Sequence, residues 1–149
     1  MWSVETVFVC ALTLLGRTQA GFPAVEFIET PPPGISRLAQ GYSRYADARI
    51  VLVTSTSAFA AARRARDRCG NAEAIREIAG VLAHEECHVR HGCDEASAYD
   101  TQLTALLFAG ADQNSPLYHK VMQAKQAVVG AARRNAKAGV LALNRPIAK

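Results

Sequence analysis

The sequence predicts an α+β domain in which a short N-terminal β portion is followed by about four helices. Runs rich in β-branched and aromatic residues come early, over 25–29 and 49–54, while apolar residues at helical spacing, bounded by capping residues, take over from position 57. At 149 residues, 50% of them hydrophobic, the chain is long enough for one real core and too short for two.

Residues 1–20 hold the apolar run from Val7 to Leu15, followed by Thr18-Gln19-Ala20, and read as a secretory leader with a small-residue cleavage site. The alternatives for this segment are an uncleaved anchor and an internal apolar helix. The run is short for a membrane span, so no stable membrane insertion is expected once a leader is removed. Residues 21–149 then form a single domain, and the protein is expected to be exported, periplasmic or secreted.

Three strands are predicted: 25–29, a shorter one over 42–45, and the clearest over 49–54. Pro31-Pro32-Pro33-Gly34 cannot lie inside a sheet and serves as a stiff connector. Residues 57–68 read as an alanine and arginine helix with Ser57 as its cap, ending near Gly70, and its arginine run as a solvated face. Asn71 as N-cap and Gly92 past the C-terminus bound a helix over Ala72–His91, with Glu73 in the first turn and Arg90 and His91 in the last. Asp94 caps a helix over 95–109. Ser115 and Pro116 make an N-cap and N1 pair for a last helix to about 137, and 139–149 is expected to fray.

The chemistry sits in the long helix. His84-Glu85-Glu86-Cys87-His88 is an HExxH motif, in which residues i and i+4 share a helix face so that both rings can reach one ion. Glu85, about 100° round the helix, is left to handle protons on a water rather than to bind the metal. Ile75, Ile78, Ala79, Leu82 and Val89 form an apolar stripe roughly opposite His84, His88 and His91. Glu86 falls on that apolar stripe, which predicts a cationic partner from Arg63, Arg64 or Arg66.

Two histidines leave a catalytic zinc one protein donor short. His91 is on the right face, but seven residues of straight helix lift it about 10 Å above His84. Gly92 lets the chain reverse, so Glu95, at the start of the next helix and on one face with Ala98, Tyr99, Gln102 and Leu106, is the leading third ligand; His91 and Asp94 are the alternatives.

With His84, Glu85, His88 and the segment Glu95-Ala96-Ser97-Ala98-Tyr99, the chain resembles the zincin metallopeptidases, and within them the gluzincin branch, over roughly residues 71–110. The resemblance implies a small zincin-like fold with the metal on the HExxH helix, Zn2+ held by His84, His88 and Glu95, and Glu85 as general base. It also implies a cleft-lining edge strand that pairs with an extended peptide. Only six residues separate His88 from Glu95, where the branch commonly has a much longer insert. The metzincin pattern fails, because His91 stands at its glycine position and Asp94 and Glu95 bracket its third histidine.

The function expected on this reading is an exported zinc-dependent metallopeptidase that hydrolyses a peptide or protein substrate through a metal-activated water. Tyr99 and His119 are candidates for a transition-state donor. A zinc-binding but non-catalytic interaction or inhibitory protein is the alternative, and a metal-free helical partner protein a third. Net charge is +4, and it stays there if a leader removes Glu5 and Arg17. The charge pattern carries no nucleic-acid signature. Of Cys10, Cys69, Cys87 and Cys93, a leader would take the first and leave three; Cys69 with Cys93 and Cys87 with Cys93 are possible pairs, and a packed free thiol is the ordinary fate of Cys87.

Overall fold

The computed structural model describes residues 1–143. In chain order its main elements are α1 (Val4–Leu14), β1 (Val25–Ile28), β2 (Gly41–Arg44), β3 (Arg49–Val53), α2 (Ser57–Arg63), α3 (Ala72–His91), α4 (Glu95–Phe108) and α5 (Pro116–Leu143). It is a small α+β fold of five α-helices and a three-stranded mixed sheet among the described residues. The four helices expected after the strands are present. The fifth is α1.

The sheet runs β1-β3-β2, with β1 parallel to β3 (Val25 opposite Ile50) and β2 antiparallel to it (Gly41 opposite Leu52). The unbroken apolar run Ile50-Val51-Leu52-Val53 belongs to the central strand, and all four side chains are buried, as a strand covered on both faces requires. The proline connector lies outside the sheet, between β1 and β2.

Helix α3 packs against α1, α2, α4, β2 and β3 and is the axis of the molecule. Its ends form as the sequence predicts: Asn71 accepts from the Ala74 amide, and Gly92 takes a left-handed conformation at φ +60° that a side chain would strain. Asp94 caps α4 through the Ser97 amide. Between α4 and α5, Leu103, Leu106, Leu117 and Val121 form a second small core.

The segment read as a leader is a packed helix in this structure. Ser3 caps α1, while Val7, Phe8, Cys10, Ala11 and Leu12 are buried in the main core. Cys10 is disulfide-bonded to Cys69, a pair outside those weighed from the sequence. A leader's apolar stretch and a core helix have the same composition, and only the partners available to the segment separate them. Trp2 is tied down as well, its amide donating to the Arg63 carbonyl and its Nε1 to the Ala65 carbonyl.

Those contacts also explain why α2 stops at Arg63 instead of continuing to 68. Trp2 takes the carbonyl of Arg63, the last helical residue, and that of Ala65 just beyond it, and Cys69, at φ +59° and bonded to Cys10, turns the chain away. Arg63 closes the helix and donates to the Trp2 carbonyl, Arg64, Arg66 and Arg68 are exposed beyond it, and Thr56 rather than Ser57 caps the helix. The partner of Glu86 also differs. Arg17 grips both of its carboxylate oxygens at 2.8 Å and Arg90 adds a third contact at 3.0 Å, because α1 delivers Arg17 to the flank of α3 that the arginines after α2 do not reach. Helix α5 runs past 137 to Leu143; of the tail expected to fray, 144–149 lie outside the described residues.

Candidate metal centre

The HExxH face of α3 is covered by α4 and β2, so His84, Glu85 and His88 are each only 7% exposed. Within this shell the two imidazole Nε2 atoms lie 3.3 Å apart. The Glu95 carboxylate reaches over the turn to 2.5 Å from His88 Nε2 and 3.7 Å from His84 Nε2. One ligand atom from each of the three residues falls within 4.8 Å of the others, which makes this group able to hold a metal ion.

The outer nitrogens of both rings are engaged. His88 Nδ1 is 2.8 Å from the carbonyl oxygen of Cys93, which can only accept, so Nδ1 carries the hydrogen. His84 Nδ1 donates to Gln102 Oε1 at 2.9 Å. With both Nδ1 atoms engaged outward, the two Nε2 atoms and a Glu95 carboxylate oxygen face one point. A proton or a cation resolves that arrangement. Histidine ligands with their second nitrogen held by a carbonyl or amide oxygen are ordinary metal-site chemistry, so the donor set fits a divalent metal.

Glu85 stands outside this group. Its Oε1 is 4.0 Å from His84 Nε2, and its Oε2 accepts from Ser43 Oγ on β2 at 2.7 Å. Burial pushes its carboxyl up from the ordinary carboxylate range, while the Ser43 hydroxyl and the two imidazoles pull the other way. Tyr99 packs its ring edge-on against His84, with centroids 4.6 Å apart, and its phenol is raised by burial and by the charges of Glu95 and Glu85.

All of these side chains line one open cleft of about 470 Å3, bounded by the 36–45 segment on one side and by Lys120, Val121 and Ala124 of α5 on the other. Leu38 (91% exposed) and Tyr45 (67%) stand at its rim, two large apolar side chains left in water. β2 is an edge strand, with β3 on one side alone.

The structure therefore brings His84, Glu85, His88, Glu95 and Tyr99 together. It does not bring His91, which is exposed at the end of α3 and outside the ligand group. Asp94 is occupied as the cap of α4, its carboxyl held low by the Ser97 amide. His119 is exposed on α5 and is not among the residues lining the cleft. Ser43 and Gln102 are the functional neighbours that sequence reasoning missed. Gln102 had a signal, since it shares the α4 face of Glu95, but Ser43 had none, because its contact with α3 spans 42 positions.

Cys87 is not a free thiol. It is bonded to Cys93, the second of the pairs that the sequence allowed. Comparison of the chain with family models, with curated proteins and with solved structures finds no match in any of the three.

Proposed function

We propose that this protein is a small exported zinc-dependent metallopeptidase of the zincin type, with His84, His88 and Glu95 as the protein donors and Glu85 as the general base. The reading is carried by one observation: His84 Nε2, His88 Nε2 and a Glu95 carboxylate oxygen converge on one point, with both Nδ1 atoms turned away from it, beside a buried carboxylate that is not one of them. Two imidazoles with a carboxylate suit zinc in particular, and three protein donors leave a position open for chemistry. Bound zinc supplies a Lewis acid that acidifies water and polarises a carbonyl.

The chain's own residues do the rest. Ser43 holds Glu85 Oε2, so Oε1 remains free to take a proton from the attacking water and to return it to the leaving amine nitrogen. Gln102 and the Cys93 carbonyl keep both Nε2 atoms pointing inward. Tyr99, bordering the cleft, is the remaining candidate donor to the developing oxyanion. A peptide substrate is supported by the edge strand β2 along the cleft and by Leu38 and Tyr45 at its mouth, which offer main-chain pairing and apolar side-chain contacts. Two disulfides support an oxidising, exported setting. No helix among the described residues is long and apolar enough to cross a membrane.

Zinc stoichiometry of the wild type beside Glu95→Ala and His91→Ala, together with chelator-sensitive cleavage of casein or a peptide library, tests the proposal. The expected result is one zinc per chain, lost in Glu95→Ala and kept in His91→Ala, with cleavage that a chelator stops. Zinc binding without cleavage of any peptide would leave the non-catalytic binding protein in its place, and a zinc-free wild type would end both readings.

A further inference from the structure

We propose that the Cys87–Cys93 disulfide is a positioning element of the metal centre, holding Glu95 and the His88 ring in place so that zinc affinity follows the redox state of this one bond. The inference rests on the zinc reading above and concerns a bond, Cys87–Cys93, to which that reading gives no role.

Helix α3 ends at His91 and α4 begins at Glu95, so the position of the third donor relative to the first two is decided over residues 92–94. Gly92 reverses the chain. Cys93 is then held three times: its amide donates to the Cys87 carbonyl, its own carbonyl accepts from His88 Nδ1, and its sulfur is bonded to Cys87. The same residue thus orients one ligand directly and anchors the chain two positions before another. Glu95 needs such an anchor. Its side chain is 50% exposed, and its carboxylate contacts the Nε2 atoms of the two imidazoles.

The cross-link spans only six positions, against 59 for Cys10–Cys69. Constraint of the unfolded chain grows with the logarithm of loop length, so the short bridge acts less on the fold as a whole and more on the turn it closes. Cys93 is also only half-buried, while Cys87 is buried, so a thiol reductant reaches the bond from the Cys93 side. Its thiolate attacks the Cys93 sulfur and displaces the Cys87 thiolate, and a second reductant thiol resolves the mixed disulfide. Two electrons and two protons leave Cys87 and Cys93 as thiols, while the reductant is oxidised to its own disulfide. The Cys93 carbonyl and Glu95 then lose the cross-link that ties them back to Cys87 of α3.

The test measures zinc dissociation constants by chelator competition for the wild type, Cys87→Ser/Cys93→Ser and, as a control, Cys10→Ser/Cys69→Ser. The first double variant is expected to bind zinc about 10–100-fold more weakly, the range found when a ligand's supporting partner is lost. The control stays close to the wild type. Because coupling is reciprocal, zinc must protect this bond by the same factor. In glutathione buffers with and without zinc, alkylation and mass mapping of the wild type should show the Cys87–Cys93 midpoint shifted toward more reducing conditions by zinc, and the Cys10–Cys69 midpoint unmoved. This second measurement needs no variant to fold. An unchanged zinc affinity in a folded Cys87→Ser/Cys93→Ser protein, or a midpoint indifferent to zinc, overturns the inference while leaving the metal centre standing. An oxidised wild type that binds no zinc refutes the centre itself.

Discussion

Opening the Cys10–Cys69 bridge is the perturbation whose size follows most directly from the structure. The bond joins α1 to the turn after α2 across 59 positions, cross-linking the N-terminal helix to the rest of the core. In the chain-entropy account, a cross-link of that span removes about 14 cal/mol/K from the unfolded ensemble, or about 4 kcal/mol at room temperature. The six-position Cys87–Cys93 bridge gives about 2 kcal/mol by the same relation. A domain of this size is stable by roughly 5–15 kcal/mol, so the first loss is a large fraction of the whole. Urea unfolding of the wild type, Cys10→Ala/Cys69→Ala and Cys87→Ala/Cys93→Ala, followed by circular dichroism, gives the two differences. The expected order is a loss of about 4 kcal/mol for the long bridge and about half that for the short one. A long-bridge variant within about 1 kcal/mol of the wild type, with both bridges shown by mass to be closed in the parent, would refute the claim that α1 is held to the fold in this way. Deleting residues 1–20 is the harsher form of the same change, because it also removes five buried side chains and Arg17, the bidentate partner of Glu86.

Three further outcomes are expected. Glu85→Gln should retain zinc stoichiometry while abolishing peptide cleavage, since the residue lies outside the donor group; a variant that cleaves at the parent rate removes Glu85 as the base. Gly80→Ala would place a Cβ 3.0 Å from Leu106 Cδ2 and 3.3 Å from Gln102 Cγ, and Leu106 is fully buried. Overpacking of about 1–3 kcal/mol should exceed the roughly 1 kcal/mol gained in helix propensity, and moving Gln102 away from His84 should weaken zinc binding; urea midpoints and chelator competition on the same samples check both parts. Asp47 is held below the ordinary carboxylate value, first by its hydrogen bond from Arg44 and also by the charge of Arg49. A lowered folded-state value means that its contribution is present above the unfolded value near ~3.9 and is lost as pH falls through the folded one. Asp47→Asn should therefore be less stable than the wild type at neutral pH and converge with it in acid; a gap in urea midpoint that persists at low pH argues against the Arg44 pairing.

What was legible in the sequence was local. Asn71 and Gly92 bound α3 because capping depends on a few adjacent backbone groups, and His84 and His88 share a face because the helix repeat is the same wherever the helix lies. The three strands appear within a residue or two of their predicted spans for the same reason, and Glu95 joins the imidazoles because Gly92 and Asp94 together specify a short reversal. Tertiary structure decided everything that depends on partners distant in the chain. Nothing near Glu86 in sequence indicates Arg17, nothing near Glu85 indicates Ser43, and Cys69 gives no sign that it will bond to Cys10. The apolar run over residues 7–15 is the plainest case. Burial is a property of what surrounds a segment: the sequence shows an apolar run, and the structure alone shows α2, α3 and Cys69 packed against it.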